Sequence, residues 1–167
     1  MAPGDQHAVV DRHCAKQPLV RRFQELASAK TEGESKLGNG QYCFPLIVTD
    51  YASGFLLRCE ALESTRENLA ITAFEQLFQE RGLLQAIRSD NGVPFASPNS
   101  LFNLSKLSMS WLRLGIAIER IKPGHQQQNG RHERMHLTLK KEATRPPAMN
   151  SLQQQARFDD FVQGFCS

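Results

Sequence analysis

Two acidic residues stand where a carboxylate could do chemistry. Asp90 begins the run Asp90-Asn91-Gly92, directly after a short stretch that is typical of a β-strand. Ligands of open α/β sheets bind at the carboxyl ends of the strands, where Asp90 would lie. Glu133 lies near the start of a segment rich in helix formers, and Lys140 follows on the same helix face. Taken alone, an Asp-Asn-Gly turn and an acid in the first turn of a helix are also ordinary structural features.

Basic residues are concentrated around Glu133. Between Arg113 and Arg145 the chain has eight Lys and Arg residues and three acidic ones, a local excess of +5, whereas the net charge of the whole chain is +3. A basic run is often only a solvated surface. Because this one adjoins a candidate site, it favours a phosphate-rich partner.

Strand and helix patterns alternate along the chain, and these elements would position Asp90 and Glu133. A hairpin is predicted by two apolar runs joined at Ala52-Ser53-Gly54, and a capping box formed by Ser64 and Glu67 predicts the start of a helix. The predicted elements are, in order, strands at 41–50 and 55–61, a helix at 64–81, a strand parallel to its neighbour at 84–89, a helix at 101–114, a strand at 116–121, and helices at 131–143 and 151–165.

Apolar residues at helical spacing predict which side of each later helix faces the core. The predicted inward residues are Leu101, Leu104, Leu107, Trp111 and Leu114 in the helix at 101–114, Met135, Leu139 and Ala143 in the helix at 131–143, and Leu152, Phe158, Phe161 and Val162 in the last helix.

The segment around Glu133 resembles a known family. Its pattern, Pro-Gly-His-x-Gln-Gln-Asn-Gly-x-x-Glu-Arg followed by a basic helix, is similar to the third-acid segment of insertion-sequence DDE transposases with an rve-type, retroviral-integrase-like core. The matching positions are His125, Gln127, Gln128, Asn129, Gly130, Glu133 and Arg134. Asp90, Asn91, Gly92 and Phe95 resemble the second-acid motif of the same family. The resemblance runs from about Gly38 to about Phe161.

The resemblance implies an α/β, ribonuclease H-like fold, a mixed sheet flanked by helices, and a polynucleotidyl transferase acting in DNA transposition and integration. Asp90 and Glu133 would be catalytic, metal-binding acids. A pair of Mg²⁺ or Mn²⁺ ions would activate a water or a 3′-hydroxyl for attack on a phosphodiester. DNA, as transposon ends and target, is the implied partner, and the active form would be a homo-oligomer. The residues implied to contact DNA are His125, Gln127, Gln128, Arg131, Arg134, Lys140 and Lys141.

This chain differs from the family at the position of the first acid. The family carries it on the strand before Gly38, and Lys30 stands where that Asp is expected. An ammonium group there would repel metal ions. Glu32, two residues along on the same strand face, and Asp50, at the end of the second strand, are the possible substitutes, although Asp50 also fits a turn. We therefore expect an impaired transferase, with a noncatalytic nucleic-acid-binding or assembly fragment of a decayed transposable element as the alternative.

Length and composition fit one globular domain. The chain has 167 residues, of which 40% are hydrophobic and 22% charged. Residues 1–36 have no sustained apolar period and are expected to pack poorly, and residues 37–167 would form the integrase-like core, truncated at its C-terminal end. The family's helix-turn-helix domain is not recognisable, so specific recognition of transposon ends is expected to be weak.

The cysteines and the apolar segments limit which other classes of protein the sequence fits. The four cysteines are scattered without a C-x-x-C pair, so the sequence predicts neither a zinc site nor a disulfide framework. No window resembles a membrane span, and the first residues do not resemble a signal peptide. The expected location is the bacterial cytoplasm, in association with the nucleoid and not with a membrane.

Overall fold

A mixed β-sheet forms the centre of the molecule. The computed structural model describes residues 26–31, 33–122 and 130–165, and the side chains of residues 130–133 and 165 fall outside that description. The described strands are β1 (Leu26–Thr31), β2 (Ser35–Lys36), β3 (Tyr42–Asp50), β4 (Leu56–Leu62), β5 (Ala86–Ser89) and β6 (Ala117–Arg120). The described α-helices are α1 (Glu67–Arg81), α2 (Lys106–Arg113), α3 (Gly130–Glu142) and α4 (Ser151–Phe165).

Strand β1 lies in the middle of this sheet. It runs antiparallel to β3 on one side and parallel to β5 on the other. Beyond β3 lies β4, antiparallel, and beyond β5 lies β6, parallel, while β2 pairs with the first residues of β3. The predicted hairpin and the predicted parallel strand are both present, which confirms the mixed sheet flanked by helices.

Helices α1 and α2 cover one face of the sheet. The core on this side joins small strand residues, such as Ala27 and Ala29, to the large side chains of the helices. Phe74 of α1 and Trp111 of α2 meet edge to face, with their ring centroids 4.8 Å apart. Both rings are buried, and aromatic pairs in this geometry add to the stability that burial alone provides.

Helices α3 and α4 contribute to a second core, which includes residues of β3 and β4. Met135, Leu139 and Ala143 of α3 are buried in one cluster with Ile47 of β3 and Phe158 of α4. The apolar stripe predicted on α3 is thereby confirmed. None of the described helices is both long and apolar enough to span a bilayer.

Helix α1 begins later than the capping-box pattern predicts. The N-cap is Arg66, which makes no capping hydrogen bond through its side chain. The Ser64 hydroxyl instead accepts a hydrogen bond from the Arg66 backbone N–H, at 3.3 Å. The predicted capping box is therefore wrong, because Ser64 is used within the preceding turn. The predicted end of the helix is correct, and Gly82 follows it with a φ of 86°.

Helix α2 is shorter than predicted. A 3₁₀ turn occupies Leu101–Asn103, and the helix begins at Lys106 after Ser105, whose side chain accepts a hydrogen bond from the Ser108 N–H. Phe102 and Asn103 have positive φ angles of 56° and 55°, which a continuous right-handed helix cannot contain. The assignments of Leu101 and Leu114 to the core are wrong, since 80% and 47% of their surfaces are exposed, respectively.

Helix α4 has the predicted bounds, and three of its four predicted inward residues, Phe158, Phe161 and Val162, belong to the second core or pack against it. Phe158 is buried, whereas Leu152 is 80% exposed, so its assignment to the core is wrong. Two glutamines of α4 also take inward positions. The Gln154 amide donates to the carbonyl of Ala143 at 2.7 Å. Gln155 accepts from the Ala61 N–H at 2.7 Å and donates to the Cys59 carbonyl at 3.0 Å.

Part of the segment 1–36 belongs to the sheet. Residues 26–31 form β1 and residues 35–36 form β2, and Ala27 and Ala29 are fully buried. The expectation that the segment packs poorly is therefore wrong for these residues. A strand that contains two alanines and lies between two sheet neighbours needs no alternating apolar pattern. Strand β1 could therefore not be recognised from such a pattern in the sequence. Residues 1–25 and 32 lie outside the described part of the chain.

Candidate active site

The carboxyl ends of β1 and β5 bring Lys30 and Asp90 together. The two strands are parallel, and their last paired residues are Ala29 and Ser89. Lys30 and Asp90 are the next residues of the two strands, so they lie side by side at one edge of the sheet. Lys30 is exposed and Asp90 is half-buried.

Both residues point to the face that carries α3. Lys30 pairs with Ile47 of β3, and directly paired residues of antiparallel strands share a face. Ile47 belongs to the buried cluster that includes Met135 and Leu139 of α3. Asp90 lies two residues beyond Arg88, which pairs with Ser28 in the parallel ladder, so Asp90 shares the face of Lys30.

The Asp90 carboxylate is held in a tight turn. Its Oδ1 accepts a hydrogen bond from the Gly92 N–H at 2.9 Å, the geometry of an Asx turn. A Cβ atom at Gly92 would lie 3.2 Å from the same oxygen, so the turn leaves little room for a side chain there. The Asn91 amide donates to the Ile121 carbonyl at 3.3 Å and ties the turn to the end of β6.

Glu133 belongs to the first part of α3, on the same face of the sheet. Its backbone is helical, and its side chain lies outside the described residues. The close approach of the Asp90 and Glu133 carboxylates therefore stays a prediction. A separation of more than about 10 Å, beyond what ligands of a metal pair could span, would contradict it.

Asp50 lies at the opposite end of the sheet. It pairs with Ala27, three residues before Lys30 on β1 and thus about 10 Å away along the strand. Its carboxylate accepts hydrogen bonds from the Ser53 N–H at 2.7 Å and the Ser53 hydroxyl at 2.5 Å. Asp50 is therefore a strand-end turn residue and does not replace the first acid. The other possible substitute, Glu32, lies outside the described residues.

The predicted DNA-contacting residues are only partly described. Arg134, Lys140 and Lys141 are exposed on α3. Lys140 also lines a cavity of about 530 Å³ between α3 and the start of β2, together with Ser35, Thr144 and Arg145. Arg131 lies in α3 with a side chain that is not described, and His125, Gln127 and Gln128 fall outside the described residues.

The described side chains do not fit a pair of divalent ions. Mg²⁺ prefers oxygen ligands, and this edge offers the Asp90 carboxylate with Lys30 at the adjacent position of β1, where an ammonium group repels cations. Within the described residues no group of three or more His, Cys, Asp or Glu side chains could hold a metal ion. The buried cysteines, Cys43 and Cys59, give no alternative, because Mg²⁺ prefers oxygen ligands to thiols.

Arg120 is a residue of this site whose role the sequence did not suggest. It appears in the sequence only as one member of the basic run. In the structure it is half-buried at the end of β6, and its guanidinium donates to the Asp90 carbonyl at 3.1 Å and to the Phe95 carbonyl at 2.9 Å. Burial lowers the pKa of Arg120, and attraction to Asp90 acts in the opposite direction.

Comparison with known proteins shows which family and which fold this chain resembles. Residues 114–165, which include β6, α3 and α4, match the family model described as integrase core domain. The fold is similar to that of the catalytic core domain of BIV integrase, with a TM-score of 0.60 and 18% identity over 83% of this chain and 81% of that one. The predicted resemblance to integrase cores is thereby confirmed, as is the ribonuclease H-like fold.

A second solved structure has a similar fold. A chain in the simian T-cell lymphotropic virus intasome, solved in complex with PP2A regulatory subunit B56 gamma, gives a TM-score of 0.63 and 16% identity over 81% of this chain. Our chain spans only 47% of the length of that one. The similarity thus covers the core fold and not the whole of the viral protein.

Proposed function

We propose that this chain is a transposase or integrase core that binds DNA, and that its transfer reaction is impaired. The reaction of its class is metal-dependent phosphodiester hydrolysis and strand transfer, with Mg²⁺ or Mn²⁺ as the cofactor. Transposon ends and target DNA are the proposed substrates. Association of several copies on the DNA is part of the proposal, because one integrase-like neighbour comes from an intasome.

The strand register at Lys30 carries the proposal of impairment. Lys30 and Asp90 follow the last paired residues of two adjacent parallel strands and point to the face of α3. A carboxylate at position 30 would join Asp90, and Glu133 if α3 brings it close, in an all-oxygen ligand set. An ammonium at position 30 supplies no ligand and repels the cation, so metal affinity falls through two separate effects.

A noncatalytic role in DNA binding is the second candidate, and it is favoured by the same lysine. Lys30 removes a ligand from the metal site but adds a positive charge near a surface that would meet phosphates. Exposed Arg134, Lys140 and Lys141 on α3 support backbone binding in either case. The two candidates differ in whether a restored carboxylate brings back catalysis.

A plasmid-nicking assay with Lys30→Asp separates these candidates. We expect no metal-dependent nicking by the unmodified chain and partial nicking by the variant, since the substitution adds an oxygen ligand and removes the repelling charge. Lys36→Asp, the same charge change at an exposed position of β2, is the matched control and should stay inactive. Activity gained by Lys30→Asp should disappear when Asp90 is also changed to Asn.

Two results would contradict the proposal. Robust nicking by the unmodified chain would mean that Lys30 does not impair the site. Failure of Lys30→Asp to nick, with DNA binding intact, would instead favour the noncatalytic candidate.

A further inference from the structure

Arg120 bridges both ends of the turn that carries Asp90. Its Nη1 donates to the Asp90 carbonyl oxygen at 3.1 Å and to Ser89 Oγ at 3.5 Å. Its Nη2 donates to the Phe95 carbonyl oxygen at 2.9 Å and to Ser108 Oγ at 3.1 Å. One planar side chain on β6 thus fixes the backbone on either side of the turn at 90–95.

The two ends of the turn are not held equally. The Phe95 carbonyl also accepts hydrogen bonds from the hydroxyls of Ser105 and Ser108, both of which are buried. The Asp90 end has Arg120 at its carbonyl and, one residue later, the Asn91 amide at Ile121. Loss of Arg120 should therefore loosen the Asp90 end more than the Phe95 end.

The bridge between the Asp90 and Phe95 carbonyls requires a side chain that donates hydrogen bonds from two separate nitrogens. The guanidinium of arginine is planar and directs several N–H groups from two terminal nitrogens, whereas the ammonium of lysine is a single point. A lysine at position 120 could keep the charge but could not reach the Asp90 and Phe95 carbonyls with separate nitrogens. The bridge therefore depends on the shape of the side chain and not on its charge alone.

We propose that Arg120 is a positioning residue that sets the direction of the Asp90 carboxylate by clamping the turn at 90–95. The inference rests on the proposed function in one respect, since it gives the direction of Asp90 a role in phosphodiester chemistry. Arg120 itself touches backbone and hydroxyl groups of the chain, and it acts on the reaction only through Asp90.

Amide hydrogen exchange in the full chain tests the clamp without needing activity. The Gly92 N–H is bonded to the Asp90 carboxylate, and the N–H groups of Phe95 and Ala96 to the Gly92 carbonyl. In Arg120→Met we expect exchange at Gly92 to rise at least tenfold relative to the amides of β3, with a smaller rise at Phe95 and Ala96. Dividing by the β3 rates removes any global loss of stability.

Arg88→Met is the matched control. Arg88 is also a half-buried arginine on a neighbouring strand, but its guanidinium bonds Glu119 Oε2 at 2.7 and 2.9 Å and not the turn. We expect this variant to lose stability without selective exchange at Gly92. Arg120→Lys should behave like Arg120→Met. Full protection at Gly92 in Arg120→Lys, or a uniform change in Arg120→Met, would overturn the proposal.

A second arm uses the Lys30→Asp chain. If that chain nicks plasmid DNA, adding Arg120→Met should lower the rate at saturating DNA at least tenfold, and adding Arg88→Met should not. Equal rates with and without Arg120 would overturn the positioning role. If the Lys30→Asp chain does not nick at all, the proposed function fails, and the exchange at Gly92 still decides whether Arg120 holds the turn.

Discussion

At the scale of single residues, the register of the sheet decides which acids can meet. Asp90 was predicted from a strand followed by Asp-Asn-Gly, and its place at the carboxyl edge follows from that local pattern. The exclusion of Asp50 could not be predicted in the same way. It depends on the antiparallel pairing of Asp50 with Ala27, a contact between residues far apart in sequence. The bridge made by Arg120 is likewise a long-range contact without a local signal.

Gly92→Ala is a residue-scale prediction about the Asp90 turn. The added Cβ would lie 3.2 Å from Asp90 Oδ1, so the carboxylate must shift or the turn must open. We expect a loss of about 1 kcal/mol in the free energy of unfolding, at the low end of the cost of overpacking. We also expect the nicking activity of the Lys30→Asp chain to be lost.

Gly33→Ala is the control for this substitution, since a Cβ at Gly33 would meet no atom within 4 Å. Denaturant unfolding gives the stability, and the plasmid assay gives the activity. A Gly92→Ala chain that keeps both would show that the Asp90 carboxylate has room to move without consequence.

At the scale of elements, apolar periodicity predicted most helices and strands but not all of their ends or faces. Met135 and Leu139 recur at helical spacing and are buried, because burial of an apolar stripe determines how α3 packs. Leu152 has the same apolar character and is exposed. On α4, Gln154 and Gln155 turn inward beside Phe158, and their partners are backbone groups outside the helix. Such specific polar contacts have no periodic signature.

Gln155 gives the element-scale prediction, because it covers the exposed edge of β4. Its side-chain amide accepts from the Ala61 N–H and donates to the Cys59 carbonyl, as a neighbouring strand would. Gln155→Ala should uncover both groups. We expect a loss of about 1–3 kcal/mol in stability and a rise in self-association with concentration, because open strand edges pair with other chains.

Gln79→Ala, at an exposed position of α1, is the control for the loss of a surface glutamine. Sedimentation at several protein concentrations measures the association, and thermal unfolding the stability. If Gln155→Ala is as stable and as monodisperse as Gln79→Ala, the edge of β4 does not depend on Gln155.

At the scale of the whole molecule, the sheet separates two helical layers with different surfaces. Helices α1 and α2 cover one face, and α3 contributes to the core on the other while it carries exposed Arg134, Lys140 and Lys141. The net charge of +3 does not show this distribution, in which four of the eight basic residues between Arg113 and Arg145 belong to α3. A DNA backbone is therefore expected to meet the α3 side, next to the edge with Lys30 and Asp90.

Reversing the charges of Lys140 and Lys141 to Glu tests this orientation. Each phosphate contact that is lost removes one counterion-release contribution, so affinity for duplex DNA should fall by a similar factor for unrelated sequences. The plot of log affinity against log salt should also become less steep, by up to about 2 in slope for two contacts. Fluorescence anisotropy with two unrelated duplexes at several salt concentrations measures both quantities.

The matched control is the double substitution Arg66→Glu with Lys106→Glu. It makes the same change in net charge at exposed positions beside α1 and α2, on the opposite side of the sheet. Interactions between exposed charges more than about 8–10 Å apart are largely screened at physiological salt. This control should therefore weaken DNA binding much less than the α3 variant and leave the slope of log affinity against log salt nearly unchanged. Equal losses in the two double variants would mean that net charge alone governs binding. A larger loss in the control would move the DNA surface to the side of α1 and α2, away from Asp90.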